Sequence, residues 1–115
     1  MKIDNKRGHI EITNDVFTAI TGSAATSCYG VKGMALTSKV DGLVHLLKRE
    51  SMAKGVKVTC HSDESISIQL HIIVEHGVNL VAVSNAIMSE VQYVVTNTTG
   101  VPVKKIEVFV DGIRF

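Results

Sequence analysis

Apolar and polar positions alternate from Ile66 to Glu75, which predicts a strand with Ile66, Ile68, Leu70, Ile72 and Val74 on one face. His76-Gly77 interrupts that pattern, and the period then changes. Leu80, Val83, Ile87, Val91, Val94 and Thr98 recur at intervals of three and four, predicting a helix from about Asn79 to Thr99. Its valines are poor helix formers, so tertiary burial must hold it. Gly100 ends the helix, and Val103 to Val110 alternates again with Ile106, Val108 and Val110 inward.

Upstream, Val56, Val58 and Cys60 alternate with Lys57, Thr59 and His61. Pairing Cys60 with Ile66 aligns Val58 with Ile68 and Val56 with Leu70, so every apolar side chain shares one face. Ser62-Asp63-Glu64 is then a hairpin turn. A one-residue slip would bury Thr59 or Ser67 instead.

Gly8 to Thr13 reads as a first strand, and Thr13 or Asn14 as the cap of a helix with Asp15 in its first turn. Val16, Phe17, Ile20, Ala24 and Cys28 form its expected buried stripe, and Gly30 terminates it. Gly30 to Gly33 is expected to be a loop, and Lys39 to Met52 a second helix with Val40, Leu43, Val44 and Leu47 on its apolar side. Gly55 ends it. The expected order is β-α-α-β-β-α-β in a single domain over residues 1–115. This is an α+β, two-layer fold: a mostly antiparallel four-stranded sheet with helices on one face.

The parity that points Ile72 and Val108 inward points Ile73 and Phe109 outward. Two large apolar side chains on the nominally wet face predict a contact there, with a second copy or a protein partner. The competing expectation is that a segment such as Ile113-Arg114-Phe115 folds back over them.

The 115 residues are 45% hydrophobic with one proline and no tryptophan, a composition for a compact domain. A formal charge of +1 argues against a strongly basic nucleic-acid binder. The charge is unevenly spread: residues 31–57 carry six basic and two acidic side chains, residues 58–115 three and six. No apolar run approaches the ~18–20 residues of a membrane span, and the N-terminus lacks a signal-peptide pattern. The expected location is cytoplasmic, with peripheral membrane contact only through a partner.

Candidate chemistry is sparse. Cys28 and Cys60 form no framework and are expected as reduced, packed thiols. Cys60 and His61 are adjacent on a strand and point to opposite faces, so they cannot readily chelate one ion. The five histidines show no ligand spacing, and no nucleophile or phosphate-binding motif occurs, so no cofactor, metal or catalytic residue is assigned. Gly30-Val31-Lys32-Gly33 offers the alternative. A G-x-x-G loop between two helices is how KH domains clamp a nucleic-acid backbone, and Lys32 would contact phosphate.

Several stretches taken in order resemble the alkaline shock protein family of Gram-positive envelope-stress proteins, particularly its YloU-like branch. They are Gly8-His9-Ile10-Glu11-Ile12, Cys28-Tyr29-Gly30-Val31-Lys32-Gly33-Met34, Lys54-Gly55-Val56, Val74-Glu75-His76-Gly77, Thr99-Gly100-Val101-Pro102-Val103 and Val108-Phe109-Val110-Asp111-Gly112-Ile113. His76 departs from the family pattern, which has tyrosine there. The resemblance implies an abundant, non-enzymatic cytoplasmic protein linked to envelope homeostasis, some of whose relatives are held at the membrane by a membrane-anchored partner. It carries over no functional residue. The resulting expectation is a non-catalytic interaction or scaffold protein that self-associates or binds a partner through Ile73 and Phe109. KH-like binding through Gly30, Lys32 and Gly33 is the alternative.

Overall fold

The structure is a computed structural model that describes residues 1–37, 44–47 and 54–115. In chain order the elements are β1 (Lys2–Asn5), β2 (Gly8–Glu11), α1 (Asn14–Thr26), β3 (Val31–Thr37), β4 (Val44–Leu46), β5 (Val56–Cys60), β6 (Ile66–Glu75), α2 (Leu80–Thr99) and β7 (Val103–Arg114). β1 and β2 form a separate two-stranded hairpin, and the other five strands make one sheet. The mixed α+β class therefore holds, but the expected order and four-stranded sheet do not.

The β5–β6 hairpin has the register that the pleat required, with Cys60 opposite Ile66, Val58 opposite Ile68 and Val56 opposite Leu70. Its turn is closed by hydrogen bonds from His61 N to Ser65 O and from Glu64 N to His61 O, with Glu64 at φ 64°. Asp63 accepts from the Ser65 hydroxyl at 2.6 Å. That bond is the main reason its carboxyl sits below the usual range.

β6 is the hub of the sheet. One of its edges is shared, with β5 pairing along Ile66–Leu70 and β3 along Ile72–Val74. β7 pairs with it in parallel from Ile66 to Glu75. The parallel pairing follows from length. Twenty helical residues span about 30 Å and ten strand residues about 33 Å, so α2 returns the chain to the end where β6 began. Asn79 caps α2 by accepting from Ala82 N, and Gly100 terminates it in the left-handed conformation at φ 74°.

Both helices contribute to one core on the inner face of the sheet. Val83, Ile87, Val91 and Val95 of α2 and Phe17, Ala24 and Ala25 of α1 meet Met34, Val56, Val58 and the five inward residues of β6. The stripe on α2 is a strict four-residue repeat, so Val95 is buried, Val94 is half-buried and Thr98 is exposed. On α1 the buried stripe is rotated from expectation. Val16 is exposed, and Thr21 with Ala25 takes its place.

Two expectations are corrected in the middle of the chain. Lys32 and Gly33 do not lie in a loop but in β3, which hydrogen-bonds to the end of β6. Within the expected second helix, Val44–Leu46 is a strand antiparallel to β3, with Leu46 opposite Ala35. The competing force is long-range pairing, which overrides a weak helical pattern interrupted by Gly42. Residues 39–43 and 48–52 of that span lie outside the described residues. At the N-terminus the expected single strand is paired within a hairpin, not within the main sheet.

Thr21 is fully buried, and its hydroxyl has no hydrogen-bond partner among the described residues. Thr21→Val keeps the shape and removes that polar group. It should raise stability by about 1 kcal/mol, read as a melting temperature a few degrees higher.

Candidate functional site

The outer face of the sheet, opposite the helices, carries the interacting polar groups. Alternation along β6 sends Ser67, Gln69, His71 and Ile73 to this side. Register places Lys105, Glu107, Phe109 and Gly112 of β7 opposite them. A bulge between Val110 and Gly112 inserts Asp111 as an extra residue.

His71 is held from two directions. Its Nδ1 lies 2.8 Å from Asp111 Oδ2, and its ring stacks on Phe109 with centroids 4.8 Å apart and planes 14° from parallel. Gln69 donates from Nε2 to Glu107 Oε1 at 3.3 Å, and Lys105 Nζ lies 3.6 Å from the same oxygen. His61 Nε2 is 2.7 Å from the Ser67 hydroxyl. A second histidine–phenylalanine stack, His76 on Phe115 at 4.4 Å, closes the end of the β6–β7 pair. Lys105 with Glu107 and His71 with Asp111 pair within the chain, and the Phe109 ring is exposed among them.

Beside this row lies a cavity of about 400 Å³, bordered by Lys54, Lys57, Gln69 and His71 over Ala35 and Val56. It lies where β5 and β3 share one edge of β6. Gly55 lets the connecting backbone pass close to β3: a Cβ there would stand 2.9 Å from Ala35 O.

The residues expected at a partner interface have separate fates. Phe109 is 39% exposed, but Ile73 is fully buried and cannot form part of an open surface. The cause is tertiary: Ile73 stands opposite Gly33, and the Leu46 side chain fills the space that Gly33 leaves. A Gly33 Cβ would be only 2.8 Å from Leu46 Cδ1. The Ile113-Arg114-Phe115 segment does not fold back over the pair either, since Ile113 and Arg114 continue β7 beside Val74 and Glu75.

The helix–loop–helix setting that KH-like binding requires is absent. Gly30 lies in the turn between α1 and β3 at φ +87°, Lys32 is exposed on the strand and Gly33 is buried. A cavity of about 400 Å³ beside Lys32 is bordered by Ser23, Thr26 and Ser27. The Thr26 and Ser27 hydroxyls donate to Gly22 O and Ala24 O of their own helix.

Both cysteines are free; Cys28 is half-buried and Cys60 exposed, so Cys60 is not the packed thiol expected. Burial, and secondarily the charge of Glu90, pushes the Cys28 thiol up. No group of three or more His, Cys, Asp or Glu among the described residues could hold a metal ion. No helix among them is long and apolar enough to cross a membrane. The outer-face His71–Asp111 contact was not legible in the sequence, because it depends on the parallel register and the bulge. Asp111-Gly112 after an apolar run was its only local signal.

Comparison with known proteins covers nearly the whole chain. The model of the alkaline shock protein 23 family, described by a cell envelope-related function, matches residues 2–115. The uncharacterized protein YloU of Bacillus subtilis (strain 168) is 35% identical over 115 residues, covering 99% of this chain and 95% of that relative. The uncharacterized protein Spy1614 of Streptococcus pyogenes serotype M6 is 34% identical over 115 residues, covering 99% and 94%. Spy1535 from the same organism is 28% identical over 106 residues, covering 92% and 79%. No solved structure matches the chain.

Proposed function

The chain belongs to the alkaline shock protein 23 family of cell envelope-related function, and from that membership we propose a non-catalytic interaction module that binds a protein partner or further copies of itself. The observation that carries this reading is the exposed apolar surface along one element. Phe109, at 39% exposure, projects from the outer face of β7, and Ile113, at 45%, lies on its inner side opposite Val74. Around Phe109 stand Lys105, Glu107, His71 and Asp111, a polar rim about a small apolar centre. Ile73 supports this face from within the fold and does not touch the partner. The proposed setting is the cytoplasmic side of the envelope, with the membrane reached through an anchored partner.

Phe109→Asp is the test. It should leave a folded protein, because the ring is partly solvated and its loss removes chiefly the stack on His71, worth about 1 kcal/mol. The variant should fail to co-purify the partners that the wild-type chain retains from cells, or should show a lower mass in light scattering. Unchanged capture and unchanged mass would refute the reading.

A further inference from the structure

The far edge of β7 pairs with no strand among the described residues. This is a long edge, twelve residues from Val103 to Arg114. Its inward side chains Ile106, Val108 and Val110 are only half-buried, although their β6 neighbours Ile68, Leu70 and Ile72 are buried to within 1% of completely. Incomplete burial is thus a property of the border strand. The regular stretch between its two bulges, Lys105 to Val110, contains no proline and, after Lys105, only Glu107 as a charge. An edge of this kind is a template for another strand.

We propose that the occupant is β7 of a second copy, added antiparallel about a two-fold axis through Val108, so that two five-stranded sheets become one. This rests on the reading that the chain works through contacts, and it names the partner and the register. The charges select both. Directly opposed residues must share a face of the pleat, so inward residues oppose inward residues. A pairing centred on Phe109 sets Glu107 against Asp111 twice, and one centred on Glu107 sets two carboxylates face to face. Centring on Ile106 or Val110 puts Val108 opposite Lys104 or Gly112 and breaks the apolar row. Centring on Val108 alone matches every position. Val108 meets its own copy, Ile106 meets Val110 twice, and Lys105 meets Asp111 twice without displacing His71 from that carboxylate. Glu107 lies opposite Phe109, which covers the exposed ring. The contact is isologous and therefore closes as a dimer.

The test reads the register directly. In a Cys28→Ser, Cys60→Ser background, Val108→Cys should form a disulfide-linked dimer under mild oxidation. Opposed Cα atoms in an antiparallel pair lie about 4.5–5.5 Å apart, within disulfide reach. Glu107→Cys and Phe109→Cys should each fail to bridge alone but should bridge each other when mixed. Without oxidant, the wild-type chain should show twice its 12.4 kDa mass, and Lys105→Glu should weaken that dimer about tenfold or more. A 12.4 kDa particle at high protein concentration with no bridge at position 108 would overturn the inference. So would bridging by Glu107→Cys alone. If that monomeric chain still loses its captured partner through Phe109→Asp, the interaction reading stands and only the strand-pairing proposal falls. If position 108 bridges while Phe109→Asp leaves the mass unchanged, the Val108-centred register falls, because it sets the new carboxylate opposite Glu107 twice, and with unchanged capture the Phe109 reading falls as well.

Discussion

Ile73→Asp should unfold the domain, while the same substitution at Phe109 should leave it folded. Both residues lie on the outer side of the sheet, two strand positions apart in register, with His71 opposite Phe109 and Ile73 opposite Gly112. Accessibility separates them. Ile73 is fully buried and Phe109 is 39% exposed. Truncating a buried isoleucine alone costs about 2–5 kcal/mol, and a carboxyl group placed there finds no water. The combined cost of about 5 kcal/mol or more rivals the total stability of a domain of this size, about 5–15 kcal/mol. Urea titration should show a cooperative transition for Phe109→Asp close to the wild-type midpoint. For Ile73→Asp it should show little or no folded baseline. A cooperative wild-type-like transition for Ile73→Asp would mean that the cover over this residue opens at negligible cost.

Gly30→Ala should destabilise the fold through both its backbone conformation and its packing. Gly30 has φ +87°, where an L side chain is strained by about 1–2 kcal/mol. An added Cβ would also stand 3.0 Å from Val83 Cγ2 in the first turn of α2 and 3.1 Å from Val78 Cγ1, just before that helix. The Gly30 carbonyl accepts from Glu75 N at 2.9 Å, so a shift of this turn would be felt at the end of β6. A loss of about 2–3 kcal/mol is expected from strain and overpacking together. Gly77 is the control: its φ is +92°, but no atom lies within 4 Å of a Cβ built there. Gly77→Ala should therefore lose only the conformational part. Equal midpoints for the two variants in chemical denaturation would show that the valine contacts relax freely.

The β5–β6 register was legible because alternation has a period of two and a slip would expose all five inward residues of β6 at once. The limits of α2 were legible because Asn79 and Gly100 are chemically specific caps. β3 and β4 were not. Val31–Thr37 and Val44–Leu46 acquire their conformation from each other and from β6, partners far away in sequence. Local propensity around Gly33 and Gly42 could not reveal that pairing. The burial of Ile73 escaped for the same reason: parity assigns a side of the sheet, not what covers it.

By itself, then, the amino-acid order determined the antiparallel hairpin, the capped α2 and the apolar face that drives them together, because these depend on short periods and local capping chemistry. It also carried the family membership, through glycine-anchored segments in a set order. Only the tertiary structure decided that β7 lies parallel to β6, that a bulge brings Asp111 to His71, and that Phe109 remains accessible while Ile73 does not. Each of those depends on register between distant strands, which the alternation of one strand constrains only to a choice of face.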